Sequence, residues 1–313
     1  MRAFDERSGV EYMEDQAKGL RALAGKAHRD NFSEPFKQSN PAHCARVIAV
    51  TSGKGGVGKT NFSANLALHL ARTGSRVIVL DADLGLANIH VLLGITPRFN
   101  MEHVMRGEKR LADIIHPTPW GIRIIGGGSG IEELANLTDI QRHSFIQGLM
   151  QLDNLADIIL IDTGAGVSRN VLSFVLAADE VIVISTPEPT SIADAYAVMK
   201  VVCHENPSAR MKLVINMANG EEDAQRASER LCLVTRQFLD VELKYLGYIP
   251  QDQMVSRAVR QQKPLLISYP ASPAGRSIER IAGQLGYKNE SSKGMRHFLS
   301  HLADFFIHSD GEM

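Results

Sequence analysis

Apolar and polar positions alternate in blocks along the chain from residue 46 to about residue 287. Most of the apolar runs are short, rich in Val, Ile and Leu, and lack a polar face, which is typical of strands buried on both sides of a parallel sheet. These runs lie at residues 47–51, 76–81, 122–125, 157–162, 180–185, 212–216 and 243–249. Segments with helical spacing separate them, for example at residues 62–73, 191–204 and 223–238. The pattern predicts one doubly wound α/β domain with a mostly parallel sheet.

Two further segments flank this predicted domain. Residues 1–45 precede the first strand, and the stretch 31–42 is a polar linker that contains proline. Residues 288–294 form a second polar linker, which leads into an amphipathic segment at the end of the sequence. We therefore expect an N-terminal extension at residues 1–45, a domain at 46–287, and a linker with a C-terminal amphipathic helix at 288–313.

Composition and charge exclude several classes of protein. The formal net charge of −1 argues against a chain that is basic overall, so direct binding of nucleic acid is not expected. Three cysteines stand far apart without a CxxC pair, and so neither a zinc site nor a disulfide framework is indicated. The charged N-terminus lacks the apolar region of a signal peptide, and no apolar run has the length of a membrane span. A cytoplasmic location is expected.

The richest motif lies at residues 52–60, where the sequence reads SGKGGVGKT between a predicted strand and a predicted helix. Glycines let the backbone curl so that successive N–H groups point at phosphate oxygens, and the helix N-terminus adds its positive dipole end. In this P-loop Lys59 would reach the β and γ phosphates, and the Thr60 hydroxyl would ligate Mg²⁺. The predicted nucleotide-binding residues are Gly53, Lys54, Gly55, Gly56, Val57, Gly58, Lys59, Thr60 and Asn61.

The second lysine of the loop indicates which class of P-loop protein this is. A P-loop needs one lysine for its own nucleotide, and Lys54 is an additional one near the start of GKGGVGKT. This string resembles the deviant Walker A motif of the MinD/ParA class of ATPases. The resemblance implies that Lys54 crosses a dimer interface and takes part in catalysis at the partner's nucleotide. It also implies a homodimer built around two ATP molecules.

Aspartates follow two of the predicted strands, where open α/β sheets bind their ligands. Asp81 and Asp83 end the strand at 76–81, and Asp162 ends the strand at 157–162. By the resemblance, Asp83 orients the attacking water, Asp81 supports the Mg²⁺ environment, and Asp162 is the Walker B carboxylate that holds Mg²⁺ through a water. An aspartate at a strand end can also simply cap the next turn, which is the alternative for Asp81 and Asp83.

The resemblance places the adenine between the ends of two later strands. Asn216 can both donate to and accept from a base edge, and Pro250 and Asp252 follow the next strand. Asp252 is also a common type of turn residue after a proline. The likeness runs almost continuously through residues 46–287, and it implies ATP/ADP and Mg²⁺ as cofactors and a slow, regulatory ATP hydrolysis.

The C-terminal segment carries an apolar stripe at helical spacing. On a helical wheel its six large apolar side chains span about 120° of arc. Such a helix can dock on its own domain or lie in a bilayer interface. Its position after a polar linker, where MinD-like proteins carry a membrane-targeting helix, favours lipid binding and a peripheral association with the inner face of the cell membrane. The predicted membrane-binding residues are Met295, Phe298, Leu299, Leu302, Phe305 and Phe306.

The N-terminal extension contains DQAKGLR at residues 15–21. It resembles the DQAxxLR motif of the FlhG (FleN) family, MinD-like regulators of flagellar placement and number. The resemblance implies stimulation of an SRP-type GTPase partner of the FlhF kind, with flagellar C-ring components and a flagellar transcription activator as further partners. The alternative is a disordered tail. The predicted partner-binding residues are Asp15, Gln16, Ala17, Leu20 and Arg21, and Gln16 would orient water or face a phosphate by analogy with other GTPases.

Three other classes share part of these features. A MinD-like cell-division ATPase would have the P-loop and the membrane helix without the DQAKGLR motif. A ParA-like partitioning ATPase would bind DNA through clustered Lys and Arg, usually without a C-terminal apolar helix. An iron–sulfur carrier would need cysteines at cluster-ligand spacing, which this sequence does not contain.

Overall fold

A computed structural model describes residues 44–83, 88–127, 147–285 and 292–308, with the backbone alone for residues 105 and 303–308. Eight strands in these ranges form one sheet with the order β3-β4-β2-β5-β1-β6-β7-β8. All neighbours are parallel except β3 and β4, which are antiparallel. The strands are β1 (Arg46–Ser52), β2 (Val77–Ala82), β3 (Ile115–Pro117), β4 (Arg123–Ile125), β5 (Ile158–Ala165), β6 (Glu180–Ser185), β7 (Met211–Ala218) and β8 (Lys244–Pro250).

Helices cover both faces of the sheet. They are α1 (Lys59–Arg72), α2 (Ile89–Leu92), α3 (Met101–Met105), α4 (Leu111–Ile114), α5 (Leu152–Leu155), α6 (Arg169–Ala177), α7 (Pro189–Glu205), α8 (Glu221–Leu239), α9 (Gln253–Arg260), α10 (Leu265–Ser268), α11 (Pro273–Gly283) and α12 (Gly294–His308). Side chains of α6, α7, α8 and α12 join the core on one face, whereas α1, α9, α10 and α11 contribute to the core on the other.

The two cores follow from the alternation of side chains along each strand. In β1, Val47 and Ala49 point into the core of α6 and α7, and Ile48 and Val50 point into the core of α1. Because successive residues of a strand face opposite sides, a strand between two helical layers must be apolar at every position. This explains the continuous apolar runs, and it leaves the loops after the strands as the place for a ligand site.

The doubly wound, mostly parallel sheet of the sequence prediction is confirmed. Each of the seven predicted strands is present, with ends displaced by up to three residues. The edge strand β3 was not predicted, because it has only three residues, is partly exposed and ends in Pro117. Proline is tolerated on an edge strand, where its missing N–H costs no ladder hydrogen bond.

A buried ionic cluster lies at the end of the sheet where β1, β6 and β7 begin. Glu180 accepts from Arg46 Nε at 2.5 Å and from Lys212 Nζ at 2.5 Å. The same arginine donates through Nη2 to the carbonyl of Leu285 at 3.0 Å, just after α11. Buried charges persist only when they are paired and hydrogen-bonded, and this cluster meets both conditions. It ties β1, β6 and β7 to the segment that follows α11.

The C-terminal helix α12 packs on this domain. Met295, Phe298, Leu299 and Leu302 are all buried in the core beside α6. The ring of Phe298 stacks on that of Phe174, with centroids 6.3 Å apart. In this conformation the first part of the apolar stripe is therefore docked on the domain. These side chains would have to leave the core before they could contact lipid. The Phe305 and Phe306 side chains lie outside the described residues.

None of the helices in the described ranges combines the length and the apolar character needed to cross a membrane.

Candidate nucleotide site

The P-loop joins the end of β1 to the start of α1. Gly56 and Gly58 have φ angles of +77° and +92°, a left-handed conformation that residues with a Cβ rarely adopt. Gly58 is the N-cap of α1, and its carbonyl accepts the first helical hydrogen bond from Phe62 N at 3.0 Å. Gly53 approaches the backbone of Asp194 so closely that a side chain has no space. Free N–H groups at the start of α1 can thus face an anion.

Lys59 lies at the inner end of this loop, and only 8% of it is exposed. Burial lowers the pKa of its ammonium, whereas the nearby carboxylates of Asp162 and Asp83 act in the opposite direction. Asp162 lies in β5 directly beside Asp81 of β2, because the two are partners in the parallel register. The structure therefore brings together the lysine and the three aspartates that the sequence predicted as one site.

Asp81 holds the loop that follows β2. Its Oδ1 accepts from Asp83 N and its Oδ2 accepts from Ile89 N, both at 3.2 Å, so the carboxylate connects the two sides of residues 84–87. Burial raises the pKa of Asp81 to about 7, and the neighbouring Asp162 adds to the shift. Its predicted support of Mg²⁺ stays a prediction, since these contacts give it a loop-closing role.

Asp162 is the best candidate for a metal-directed carboxylate. Ser63 Oγ donates to its Oδ1 at 2.8 Å, and the Thr60 side chain also donates to the carboxylate. Burial raises its pKa to about 6. Its Oδ2 is buried and has no hydrogen-bond partner among the described residues. An unpartnered buried oxygen beside a threonine hydroxyl fits a hydrated Mg²⁺ ion.

No group of three or more His, Cys, Asp or Glu side chains within the described ranges could hold a metal alone. A magnesium ion here would consequently depend on the nucleotide phosphates for ligands, which is the usual arrangement in ATPase sites.

Asp83 faces the end of β5 at Gly164. Its Oδ2 accepts from Asn88 Nδ2 at 3.2 Å, and its Oδ1 lies 3.6 Å from the point where a Cβ on Gly164 would be. The same Cβ would lie 3.2 Å from Val171 Cγ2, so the site requires a glycine or a shift of its neighbours. Asp83 is half-buried. Its location is compatible with the predicted role of orienting water.

The predicted adenine residues have other contacts in this structure. Asn216 Nδ2 donates to the Val57 carbonyl of the P-loop at 2.7 Å, and its Oδ1 accepts from Met217 N at 2.9 Å. Asn216 therefore touches the phosphate loop, and reading a base would require it to exchange these bonds. Pro250 pairs with Ala218 at the end of the sheet.

Asp252 is the N-cap of α9 and holds the start of α11. Its two oxygens accept from Met254 N at 2.9 Å and from Ala274 N at 3.1 Å. N-capping is a common structural role of aspartate. The contacts of the carboxylate thus support the turn alternative, and its assignment to nucleotide binding rests on resemblance alone.

The predicted nucleotide-binding residue Asn61 lies in α1, where its carbonyl accepts from Asn65 Nδ2 at 2.7 Å.

Lys54 is held by its own subunit. Its Nζ lies 2.7 Å from Glu188 Oε2 and donates to Thr190 Oγ1 at 3.2 Å. Glu188 and Thr190 were not predicted as site residues. A signal was present, because the polar Glu188-Pro189-Thr190 follows the buried strand β6 at the edge where parallel strands end. Ser63 was missed because a serine inside a helix gives no sequence signal for a distant carboxylate.

The predicted partner-binding residues of the N-terminal extension lie outside the described residues. They are Asp15, Gln16, Ala17, Leu20 and Arg21.

The fold and the site together define a P-loop nucleoside triphosphatase of the MinD/ParA class. A family model described as "ParA: NUBPL iron-transfer P-loop NTPase" matches residues 43–286. The three cysteines are free and lie on separate elements, before β1, on α7 and on α8, so they do not form the cysteine cluster of an iron–sulfur carrier.

Similar proteins identify the family more closely. "Antiactivator FleN" of Pseudomonas aeruginosa is 42% identical over 247 residues, which cover 79% of this chain and 88% of FleN. "Flagellum site-determining protein YlxH" of Helicobacter pylori is 36% identical over 268 residues, 83% of this chain and 90% of YlxH. The structure of the septum site-determining protein MinD with Mg-ADP from Pyrococcus horikoshii superposes with a TM-score of 0.62 at 25% identity, covering 77% and 96% of the chains. The chain belongs to the FleN (FlhG) family of MinD-like ATPases, which bind ATP or ADP with Mg²⁺ and hydrolyse ATP.

Proposed function

We propose that this protein is a regulatory ATPase that dimerises with ATP and controls flagellar number and placement. The flagellar role is supported by the 36% identity to YlxH, which is named a flagellum site-determining protein. The antiactivator FleN, at 42% identity, supports a regulatory role. A septum-site role is less favoured, because the putative MinD proteins of Oltmannsiellopsis viridis and Chlorella vulgaris are 34% and 29% identical, below the 42% of FleN. The observation that carries the dimer is the position of Lys54, which pairs with Glu188 and leaves 41% of its side chain exposed.

Within one subunit, the residues of the site have separate tasks. The P-loop N–H groups and Lys59 bind the phosphates, and Thr60 and Asp162 would hold Mg²⁺. The metal, when bound, neutralises charge on the β and γ phosphate oxygens. Asp83 orients the attacking water, since it is a half-buried carboxylate near Lys59. Positioning is most of what such a site contributes to phosphoryl transfer.

The face around the P-loop has the features of a contact surface between two copies. Lys54 exposes 41% of its side chain, and the apolar Val167 and Met217, which follow β5 and belong to β7, are 46% and 42% exposed. An exposed ion pair contributes little free energy, so Lys54 can leave Glu188 at small cost when a partner's phosphate offers a stronger contact. Two copies facing each other across ATP would use both the exposed lysine and the exposed apolar side chains.

Membrane binding is proposed as a property of released α12. Its docked residues Met295, Phe298, Leu299 and Leu302 cannot contact lipid and the core at the same time. One amphipathic helix of this length binds a bilayer weakly and reversibly. A dimer that presents two helices gains from effective concentration, so ATP-dependent dimerisation would favour the membrane-bound state.

The N-terminal extension supplies the proposed link to partners. Its DQAKGLR motif would stimulate an FlhF-type GTPase, and flagellar C-ring components or a flagellar transcription activator would bind the protein as well. The protein would then be cytoplasmic, with a peripheral fraction on the inner face of the cell membrane.

Size-exclusion chromatography with light scattering, combined with liposome flotation, tests this proposal. The protein should elute as a monomer with ADP and as a dimer with a non-hydrolysable ATP analogue, and it should float with liposomes only in the second case. A monomer under both conditions would contradict the dimer, and equal flotation with both nucleotides would contradict the link between dimerisation and membrane binding.

A further inference from the structure

A buried serine contacts the Walker B carboxylate from the helix of the P-loop. Ser63 Oγ donates to Asp162 Oδ1 at 2.8 Å, and both residues have 0% exposure. Ser63 lies one turn after Thr60 in α1, on the side that faces β5. Its contact restrains one oxygen of the carboxylate, while the second oxygen has no partner among the described residues.

This contact differs from those of two other buried hydroxyls that lie on helices. Ser173 Oγ donates to the Asn170 carbonyl at 2.8 Å, and Thr235 Oγ1 donates to the Leu231 carbonyl at 2.9 Å. Both satisfy themselves on their own helix, as hydroxyls in helices commonly do. Ser63 instead bonds to a carboxylate that is 99 residues away in the sequence.

We propose that Ser63 is a positioning residue for Mg²⁺, acting through Asp162. The inference deepens the proposed function, on which it rests. Thr60 also donates to Asp162, but the Thr60 oxygen is itself a predicted metal ligand, so Ser63 is the donor that does not depend on the metal. By fixing Oδ1, it directs Oδ2 toward the water shell of the ion. Outer-shell partners of this kind typically change metal affinity by about 10–100-fold.

Binding of a fluorescent ADP analogue, measured in EDTA and across a Mg²⁺ titration, separates the metal-dependent part of the affinity. For S63A we expect the Mg²⁺ midpoint to rise about 10-fold while the affinity in EDTA stays unchanged. S63T keeps the hydroxyl and should restore the midpoint. S173A removes an equally buried hydroxyl and is the matched control, with a wild-type midpoint.

Two outcomes overturn this role of Ser63. An unchanged Mg²⁺ midpoint in S63A shows that Asp162 needs no positioning, and an equal loss of affinity with and without Mg²⁺ shows a general effect on the fold. Failure of the wild-type protein to bind the ADP analogue would count against the proposed function itself, so the two failures are distinguishable.

A separate set of contacts lies at the opposite end of the sheet, where Asp153 joins two distant parts of the chain. Its Oδ1 accepts from Ala45 N at 3.0 Å and from Met295 N at 2.9 Å. The first amide lies just before β1, and the second is in the first turn of α12. One carboxylate thus caps the C-terminal helix and holds the residue at which the N-terminal extension joins the domain.

Asp179 forms a second bridge between the same two segments, through Val47 in place of Ala45 and through Lys293 in place of Met295. It accepts from Val47 N at 3.0 Å through Oδ2 and from Lys293 N at 3.2 Å through Oδ1. Ser292 Oγ completes the set by donating to the Ala45 carbonyl at 2.7 Å. We name Asp153, Asp179 and Ser292 the terminal latch.

From these contacts we infer that the terminal latch couples the docking of α12 to the seating of residues 44–47. Undocking of the helix removes donors from both carboxylates at once and loosens their hold on the start of β1. Such coupling is reciprocal, so a change at either end of the chain is transmitted to the other. A membrane-bound helix would therefore present the N-terminal extension on a looser attachment.

Hydrogen exchange of the full-length protein tests the latch without reference to nucleotide. F298A removes a core contact of α12 and touches none of the latch residues directly, whereas I278A truncates a buried side chain of the opposite core. F298A should speed exchange in residues 292–300 and, in parallel, in residues 44–48. I278A should not change the exchange of either segment relative to the exchange of the rest of the domain.

D153A provides the reverse experiment, because it should increase exchange at both ends together. If F298A accelerates exchange at residues 292–300 and leaves residues 44–48 unchanged, the two ends are independent and the latch is only a helix cap. That result remains decisive even if D153A does not fold.

Discussion

Lys54 and Glu188 of the same subunit form an ion pair, with Nζ and Oε2 2.7 Å apart. The pair connects the start of the P-loop to the N-cap of α7. Its side chains are 41% and 64% exposed, so solvent screens the attraction and the pair contributes little to stability. The lysine is therefore held only weakly, as the proposed exchange of Glu188 for a partner's phosphate requires.

The first prediction concerns dimerisation. K54A should bind nucleotide with an affinity near that of the wild type, because Lys59 serves the chain's own phosphates, but it should remain monomeric with ATP. K59A should lose most nucleotide binding. Light scattering with ADP and with an ATP analogue measures the first effect, and K244A, at the opposite end of the sheet, is the control lysine variant. Normal dimers of K54A would refute the role of the second lysine.

The second prediction concerns hydrolysis. D83A should keep ATP affinity and accumulate the ATP-bound dimer, because it lacks the group that orients water. We expect steady-state ATPase activity to fall about 100-fold or more. D113A removes an exposed aspartate that pairs with Arg110 away from the site, and it should turn over normally. Turnover by D83A at the wild-type rate would assign the catalytic task to another residue.

The third prediction is a pH dependence of stability without nucleotide. The pKa of Asp81 is about 7 in the folded protein and near 3.8 in the unfolded chain. Between these values the unfolded chain binds fewer protons than the folded one, so the contribution of Asp81 to stability falls as the pH rises from about 4 to 7. A neutral amide at this position avoids that loss.

We therefore expect the stability of D81N relative to the wild type to rise between pH 5 and pH 8, by on the order of 1–3 kcal/mol. At pH 5 the carboxyl is protonated in the folded protein, and D81N should show no gain. Thermal unfolding at both pH values without Mg²⁺ measures the difference. An identical shift at the two pH values would mean that the charge of Asp81 is not responsible.

Much of the fold could be predicted from the sequence, because burial on both faces leaves a continuous apolar run at each central strand. Strand β3 escaped this pattern, since an exposed edge strand of three residues carries no periodic signal. The location of the P-loop was also predictable, because glycines at 56 and 58 are required by the left-handed backbone there.

Contacts between distant parts of the chain were not predictable in the same way. Ser63 and Asp162 meet only because α1 packs on β5, and neither residue indicates the other in the sequence. The stripe on α12 shows that the helix has an apolar face, but it does not show whether the domain or a bilayer covers that face. A protein core and a bilayer favour the same side chains. The docked position of Phe298 on Phe174 decides that question for this conformation.

The fourth prediction separates the two uses of α12. Because Phe298 is buried against α6, a polar residue there should lower the unfolding temperature as well as weaken membrane binding. Deletion of residues 288–313 should likewise uncover part of the core. F305S/F306S changes the end of the stripe instead, and we expect it to abolish liposome flotation with an unchanged unfolding temperature. Flotation of this double variant at the wild-type level would contradict membrane binding through the stripe.

The last prediction assigns the N-terminal extension to a partner. A peptide of residues 1–30 should raise the GTPase rate of an FlhF-type partner by itself, because its motif lies about 30 residues before the P-loop across a polar linker and can reach a separate surface. Substitution of Gln16 should remove this effect because the group that would orient water or face a phosphate is lost. Substitution of Leu20 should remove it because the peptide no longer binds the partner. A peptide with Lys26 changed to Ala, outside the motif, is the control.

ATP turnover of the whole protein should stay nearly unchanged when residues 1–30 are deleted, because the described ATP site is built without them. Steady-state GTPase assays with the peptide and ATPase assays with the deletion variant measure the two effects side by side. If the peptide leaves the partner at its basal rate while the deletion alters ATP hydrolysis, the extension regulates its own subunit, and the proposal that it stimulates a GTPase fails. If both rates change, the motif has a second contact on the ATPase domain, which a Leu20 variant should weaken together with the partner effect.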